Sequence, residues 1–270
     1  MKELFLFTIS VFLFSYCLTA QTDTTINGVT YNLFAPGLWV EEEASAFTCG
    51  DDVTFMYNGS MVTYGTVESA GGLCWMDRNL GASQVATSSN DAAAYGDLFQ
   101  WGRGDDGHQD RSIGGCNPTN CFDAGEENLN LPPNASVSGA WDGMFIYNMQ
   151  SPFDWHQDNP DNSLWQGVNG SNNPCPSGWR VPTEDEWDTE RMSWAPMNAV
   201  GALASPLKLP LAGQRQPSSG ALAAVGSAGN YWSSDIPTIN SRFLFFNSSS
   251  ANIFSTNQAR GGSVRCIKDE

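Results

Sequence analysis

The stretch NPCPSGWRVPTEDEW, residues 173–187, carries the clearest local signal for the fold of this chain. Thr183 can accept a hydrogen bond at the N-terminus of a helix, and Glu186, three residues later, completes a capping box. Pro182 stands just outside this cap, where a helix tolerates proline. We therefore predict a helix over residues 183–192. The helix dipole favours negative charge in a first turn, which explains the crowded carboxylates there without catalysis.

Short strand signals lie on both sides of this helix. Residues 53–57 and 61–64 flank an Asn-Gly pair, whose preference for positive φ suits a two-residue hairpin turn, and residues 73–76 follow as the next strand. Later strands of an antiparallel sheet are predicted at residues 231–233, 242–246 and 263–267. Few helices, short strands and long ordered loops together indicate an α+β fold.

The N-terminus has the layout of a cleavable signal peptide. Lys2 supplies a positive charge, an apolar run extends over residues 4–16, and residues 18–20 form a small-residue exit. The run is shorter than the ~20 residues that span a bilayer. We predict that residues 1–20 are removed and that the mature protein is secreted or held at the cell surface.

Two other interpretations of the N-terminus stay open. One is a buried helix, and the other is a lipoprotein anchor through Cys17, which bulky Tyr16 does not suit. After the signal peptide we expect a strap with little regular structure over residues 21–48. A single domain over residues 49–270 follows.

The charge of the chain restricts its partners. Asp and Glu number 29 against 12 Lys and Arg, which gives a formal net charge of −17. Such a chain repels phosphate backbones and anionic lipids, so we expect no nucleic-acid partner and no membrane insertion of the mature protein. Ten Trp, fifteen Phe and seven Tyr supply more apolar area than a disordered chain carries.

Six cysteines remain after signal-peptide cleavage, and an even number in a secreted chain is typical of a disulfide framework. Fifteen connectivities are possible for six cysteines. A zinc site is disfavoured, since there is no Cys-x-x-Cys pair and there are only two histidines. One pair encloses a four-residue loop, a second flanks the predicted hairpin, and the third remains by elimination. The predicted bridges are Cys116–Cys121, Cys49–Cys74 and Cys175–Cys266.

Two acidic loops are candidate calcium sites. Calcium takes six to eight oxygen ligands from carboxylates, amides and carbonyls, which flexible loops rich in Asp and Asn can supply. The alternative is that either loop is simply a solvated acidic segment. The candidate ligands are Asp105, Asp106 and Asp110 in the first loop, and Asp154, Asp158 and Asp161 in the second.

Aromatic residues next to the second loop suggest a glycan site. Trp155 and Trp165 flank its carboxylates, and Asn159 adds an amide. Exposed indoles beside hydrogen-bonding groups suit a polyhydroxylated ligand, so we predict that these three residues contact a glycan. For the tryptophans at 101, 179, 187 and 232 we expect burial in the core.

Taken together, these segments resemble the Fibrobacter succinogenes major paralogous domain family. The resemblance runs in order from about residue 49 to residue 268. Its motifs are CWMDRNLGA (74–82), YGDLFQWGR (95–103), NPCPSGWRVPTEDEW (173–187), LKLP (207–210), AGQR (212–215), YWSS (231–234) and SVRC (263–266).

The segment RVPTEDEW is more distantly similar to the Arg-Leu-Pro-Thr-Glu-x-Glu-Trp signature of formylglycine-generating enzymes, a group related to C-type-lectin-like domains. The resemblance implies a disulfide-stapled C-type-lectin-like or formylglycine-generating-enzyme-like fold. A helix would open at Thr183 and a terminal strand would hold Cys266, which fits the predicted bridge to Cys175. Residues 159–161 are similar to part of the sugar-site pattern of calcium-dependent lectins, and residues 231–235 are a loose substitute for its other part.

The resemblance does not carry the enzyme's activity to this chain. Formylglycine generation uses a reactive cysteine pair late in the chain, and no cysteine lies between Trp187 and Val264. There is also no Gly-x-Ser-x-Gly nucleophile motif. We therefore predict a secreted or cell-surface binding or adhesion domain without catalytic activity, with glycans as the ligand class. The alternatives are an enzyme on the related scaffold and a purely structural envelope protein.

Overall fold

The computed structural model describes residues 47–113, 116, 121–123, 143–148, 154–155, 161–237 and 240–269, and the backbone of three strands between residues 23 and 41. The chain divides into two compact units, Met1–Phe47 (unit 1) and Thr48–Glu270 (unit 2). The predicted signal peptide lies outside the described residues, as do Asp158 and Asn159. No helix in these described parts is long and apolar enough to cross a membrane.

Unit 1 contains an antiparallel three-stranded sheet. Its strands are β1 Asp23–Ile26, β2 Val29–Ala35 and β3 Leu38–Glu41, and β2 pairs with both of the others. The expectation of a strap with little regular structure over residues 21–48 is therefore wrong. The sequence is rich in Thr, Val and Leu with aromatic residues, which favour strands, and Asn-Gly and Pro-Gly pairs separate its segments.

The elements of unit 2 are short and alternate with long loops. Its helices are α1 Glu184–Met192 and α2 Ala199–Ala204, and a 3₁₀ turn spans Ala92–Ala94. The strands before α1 are β4 Val53–Tyr57, β5 Ser60–Tyr64, β6 Thr66–Glu68, β7 Cys74–Met76, β8 Phe99–Gln100, β9 Cys121–Asp123, β10 Phe145–Tyr147 and β11 Trp179–Arg180. Those after α2 are β12 Gln214–Arg215, β13 Leu222–Ala223, β14 Ala228–Trp232, β15 Ser241–Asn247, β16 Ala251–Thr256, β17 Gly261–Gly262 and β18 Ile267–Lys268.

These strands form several small sheets. The orders are β11-β18-β7-β6, β13-β12-β17-β8, β14-β15-β16 and the hairpin β4-β5, all antiparallel, whereas β9 and β10 pair in parallel. The fold is thus α+β with few helices, short and mostly antiparallel strands, and disulfide staples. The predicted hairpin and the strands near residues 74, 231 and 242 are confirmed.

The predicted strand over residues 263–267 is wrong for most of its length. Only Ile267 belongs to a strand there, and Ser263 forms an isolated parallel bridge with Tyr231. The Val264 carbonyl accepts from the Leu80 amide at 3.0 Å, and the Cys266 carbonyl accepts from the Met76 amide at 3.0 Å.

The capping box of α1 forms as predicted. The Thr183 hydroxyl accepts from the Glu186 amide, and the Glu186 carboxylate accepts from the Thr183 amide at 2.7 Å. Arg180 holds the same carboxylate with two bonds of 2.6 and 2.9 Å. Burial opposes ionisation of Glu186, but the contacts with Arg180 and Thr183 outweigh it and lower the pKa of the carboxyl.

All three predicted disulfides are present, namely Cys49–Cys74, Cys116–Cys121 and Cys175–Cys266. The third joins the segment before α1 to the segment before β18 across 91 residues. A loop of this length contributes about 4–5 kcal/mol in the chain-entropy model. The structural frame around α1 therefore has the covalent support that the sequence predicts.

Tryptophans fill the core of unit 2, and several of them donate their indole N–H groups to backbone carbonyls. Burial of Trp101, Trp179, Trp187 and Trp232 is confirmed. The Trp187 indole donates to the Trp232 carbonyl at 2.9 Å, and the Trp101 indole donates to the Ser233 carbonyl at 3.0 Å. These two rings thus bury apolar area without leaving the indole N–H unpaired, whereas Nε1 of the buried Trp75 has no acceptor among the described residues.

Candidate ligand-binding site

A polar cavity of about 260 Å³ opens where α1 begins. This volume is slightly below the roughly 300–1,000 Å³ of most small-molecule pockets, so it suits one ring or end group of a ligand. The lining brings together the long loop before α1, the helix N-terminus and the loop after β14. Its residues are Asn162, Gln166, Glu184, Asp235, Ile236 and Pro237.

Hydrogen bonds across these three segments hold the cavity walls. The Asp235 carboxylate accepts from the Glu184 backbone amide at 2.5 Å, which ties the loop after β14 to the first turn of the helix. The Gln166 side-chain amide donates to the Ser234 carbonyl at 2.6 Å, which ties in the long loop. The Ser234 amide in turn donates to the Pro182 carbonyl at 2.8 Å. The lining is therefore built by contacts and not by chance proximity.

The lining is rich in oxygen acceptors. Glu184 and Asp235 supply carboxylates, and Asn162 and Gln166 supply amides. Arg242 forms an ion pair with Glu184 at 3.0 Å, but both side chains are about one-third exposed, so this pair is weak. The two carboxylates outnumber the one nearby cation, and the site suits hydroxyl, ammonium or metal ligands better than anions.

The first acidic loop does not bring its carboxylates together. The Asp105 carboxylate accepts from the Asn58 amide at 3.2 Å, and the Asp110 carboxylate accepts from the Ser112 amide at 2.7 Å. Asp106 binds the buried Arg103 guanidinium at 2.6 Å. The expectation that Asp106 is a calcium ligand needs correction, because its carboxylate is already neutralised by a buried cation.

His108 completes the partners of Asp106. Its Nε2 accepts from the Gln100 amide at 3.0 Å, so in the neutral ring the proton lies on Nδ1, which donates to Asp106 at 2.5 Å. Burial, followed by the Arg103 charge, lowers the pKa of His108 to about 4. Burial opposes ionisation of Asp106, yet the His108 and Arg103 contacts keep the pKa of its carboxyl below the usual range. Because His108 is fully buried, we assign it to structure.

The second acidic loop is described only in part. Asp154 is 6% exposed, and the side-chain amide of Gln258 donates to its two carboxylate oxygens at 2.9 and 2.8 Å once the amide oxygen and nitrogen of Gln258 are interchanged. The Asp161 carboxylate accepts from the amide and hydroxyl of Ser163 at 2.8 and 2.6 Å. The predicted ligands Asp158 and Asn159 lie outside the described residues.

Trp155 and Trp165 do not form the exposed platform that the sequence suggested. Their exposed fractions are 2% and 0%. The Trp155 indole donates to the Trp101 carbonyl at 2.7 Å, and the Trp165 indole donates to the Asn172 carbonyl at 3.0 Å. Both rings belong to the core, so the prediction that they stack on a glycan is wrong.

Within the described residues, no group of three or more His, Cys, Asp or Glu side chains is arranged to hold a metal ion. Calcium binding stays a prediction, because one of its two candidate loops is only partly described.

The cavity itself was not predicted as a unit. Asp235 lies in the segment noted for its loose similarity to a sugar-site pattern, and Asn162 belongs to the second acidic loop, but nothing marked Gln166 or Glu184 as site residues. Gln166 reaches the cavity through a contact with Ser234, which is 68 positions away in the chain. No local pattern reports such a contact.

Comparisons of this chain with protein-family models, curated proteins and solved structures found no match. The family resemblance therefore rests on its motifs alone.

Proposed function

We propose that the protein is a secreted or cell-surface binding domain of C-type-lectin-like fold, and that the cavity at the start of α1 binds a glycan. The observation that carries this proposal is the lining of that cavity, where Glu184, Asp235, Asn162 and Gln166 present carboxylate and amide groups together. The location is supported by the three disulfides, because such bridges persist in oxidising compartments.

Sugar hydroxyls both donate and accept hydrogen bonds, so they match a lining that mixes carboxylates with amides. Ile236 and Pro237 add apolar surface beside these groups, against which the C–H face of a sugar ring can pack. The dimensions suit one sugar unit, with the rest of the glycan extending into solvent. This cavity replaces Trp155 and Trp165 as the proposed glycan site.

The proposed fold draws on the family resemblance and on elements around α1. The resemblance implies a helix opening at Thr183 and a terminal segment that holds Cys266. The capping box and the Cys175–Cys266 bridge support both elements. We therefore propose membership of the Fibrobacter succinogenes major paralogous domain family.

Two features support binding over catalysis. The six cysteines of unit 2 are all in disulfides, so they offer no thiolate nucleophile. His108, the one histidine in the described residues, is sealed in the core. A purely structural envelope role would leave the cavity without a ligand.

Glycan arrays followed by isothermal titration calorimetry on the mature protein test the proposal. Asp235→Asn should weaken glycan binding at least tenfold, because it removes a charged acceptor from the lining. Asp185→Asn is the matched control, since Asp185 is exposed in the same helical turn and outside the lining. Absence of glycan binding, or equal losses in the two variants, would contradict the proposed site.

Calcium is the proposed cation of the acidic loops. Binding to the folded chain alone would raise its stability by about 2.7 kcal/mol at a hundredfold excess over Kd. We expect the melting temperature to rise with millimolar calcium, less with magnesium, and to fall with chelator. Asp158→Asn with Asp161→Asn tests the second loop, and Asp105→Asn tests the first. Identical melting curves with calcium and with chelator would rule calcium out.

A further inference from the structure

Two arginines of unit 2 meet at the turn at residues 110–113, since Arg111 is part of it, Arg215 contacts it, and the charge of Arg111 acts on Arg215. Nη2 of Arg215 donates to the carbonyl of Asp110 at 2.9 Å and also to the carbonyl of Ile113. Arg111 lies between these two residues in the sequence. Nε of Arg111 donates to the Gly96 carbonyl at 2.6 Å. Burial lowers the pKa of Arg215, and the neighbouring Arg111 charge lowers it further. Each guanidinium is therefore anchored through one nitrogen only.

The other guanidinium nitrogens have no acceptor among the described residues. These atoms are Nη1 and Nη2 of Arg111 and Nε and Nη1 of Arg215, and all four are excluded from solvent. Arg215 as a whole is 0% exposed. Buried N–H groups on a charged side chain are costly when unpaired, so nearly all in native proteins have a partner.

An aromatic ring covers one face of each guanidinium. The Arg111 guanidinium lies 5.3 Å from the Tyr95 ring centroid, and that of Arg215 lies 5.2 Å from the Phe145 centroid. Guanidinium N–H groups point outward in the plane of the group. The unpaired N–H groups are therefore edge donors that need an acceptor in that plane.

The nearby carboxylates do not serve as that acceptor. The Asp97 carboxylate accepts from the Tyr57 hydroxyl at 2.7 Å and from the backbone amide of Arg111, not from its guanidinium. The Asp110 carboxylate accepts from the Ser112 amide at 2.7 Å. Both carboxylates act on the arginines at longer range only.

We propose that Arg111 and Arg215 form a buried binding site for a small inorganic anion of the halide class. Charge-assisted N–H donors match an anion, and the exclusion of all four atoms from solvent restricts the ligand to a small one. The bound halide links the turn at residues 110–113 to β12. This site is independent of the glycan cavity, and it places an anion inside a chain whose net charge is −17.

Melting of the mature protein in sodium bromide and in sodium gluconate, at equal sodium concentration, tests the site. Bromide should raise the melting temperature of the wild type with saturation, by about 3–6 °C at a tenfold excess over Kd. Arg111→Gln should lose this response. Arg191→Gln is the matched control, because it removes a positive charge that pairs with Asp188 on α1 and should keep the response.

Bromide-soaked crystals give a readout that does not depend on a variant. An anomalous peak in contact with Arg111 Nη and Arg215 Nη1 is expected. A water molecule there in place of bromide, or a melting temperature of the wild type that does not respond to bromide, would overturn the proposal. An equal response in Arg111→Gln and Arg191→Gln would also overturn it, since the effect would then be non-specific. If Arg111→Gln does not fold, the wild-type titration and the crystals still decide.

Discussion

Arg265 and Arg215 are both buried in unit 2, yet the chain treats them differently. Arg265 is 1% exposed and directs its guanidinium to three acceptors. Its Nε and Nη2 donate to Asn79 Oδ1 at 3.1 and 2.9 Å, and its Nη1 donates to the carbonyls of Met76 and Leu207 at 3.1 and 2.8 Å.

Arg215, with 0% exposure, leaves two nitrogens without an acceptor in the described part of the chain. The difference shows that buried cations must be distinguished by whether the chain supplies hydrogen-bond acceptors for them. An arginine whose acceptors come from the chain stabilises the fold, whereas for Arg215, which lacks them, we propose a ligand. Burial lowers the pKa of Arg265 to about 10, so even this residue stays charged at neutral pH.

Among the variants that test this comparison, we expect the largest loss of stability for a substitution of Arg265. Arg265→Met removes the donors for Asn79 Oδ1 and for two buried carbonyls, and unsatisfied buried acceptors cost roughly 1–3 kcal/mol each. We expect a loss of about 3–5 kcal/mol in the free energy of unfolding, measured by urea denaturation. Arg191→Met should lose less than about 1 kcal/mol, because Asp188, with which Arg191 pairs on α1, is about half exposed. A small loss at Arg265 would mean that the buried network does not hold the fold.

The stability of the fold should depend on pH through His108. Its pKa is lowered mainly by burial, and the charges of Arg103 and Arg215 lower it further. The pKa of His108 is about 4 in the folded chain and 6.5 is its ordinary value. Between pH 4 and pH 6.5 the unfolded chain therefore binds a proton on His108 that the folded chain does not bind. The stability from neutral His108 is present above pH 6.5 and is lost as the pH falls to about 4, amounting to about 3 kcal/mol.

Denaturation of the wild type and of His108→Gln at several pH values between 7 and 4 measures this dependence. The variant should show a flatter profile over the same window. Arg215→Met should make this loss of stability smaller and end it at a higher pH, because it removes one of the charges that oppose protonation of His108 in the folded chain. Parallel profiles for the wild type and His108→Gln would show that another group controls the dependence.

We expect the smallest change in the free energy of unfolding, relative to the wild type, for Arg215→Met in sodium gluconate. The change loses the bonds to the Asp110 and Ile113 carbonyls but also removes the unpaired donors, so we expect a net change within about 1 kcal/mol. In bromide the loss should be larger, since the wild type then gains a ligand. A loss in gluconate as large as that of Arg265→Met would remove the distinction between the two arginines.

Features that depend on residues close together in the sequence could be predicted, and features that depend on distant residues could not. The capping box joins Thr183 to Glu186 across three residues, and the hairpin turn at Asn58 needs only its own φ preference, so both are visible locally. The disulfides followed from cysteine spacing. The burial of Trp155 did not, because its indole binds a carbonyl 54 positions away.

The same limit applies to the candidate sites. Asn79 and Arg265 lie in two of the motifs on which the family resemblance is based. Their contact joins residues 186 positions apart, so no local sequence pattern predicts it. The cavity lining is likewise assembled from three separated segments, of which only α1 has a sequence signature. The strands of unit 1 have a local signal, since Asn-Gly and Pro-Gly pairs separate segments of strand-favouring residues, so in this unit the sequence contains more information than our prediction used.

The position of β18 in its sheet has a consequence for biosynthesis. In the order β11-β18-β7-β6, the strand between β11 and β7 comes from Ile267–Lys268, the latest of the four in the chain. A nascent chain that has not reached this strand can pair β6 with β7, but β11 has no neighbour in the sheet. Long-range pairing of this kind is slow to form. The sheet therefore cannot close while the ribosome is still adding residues before 267.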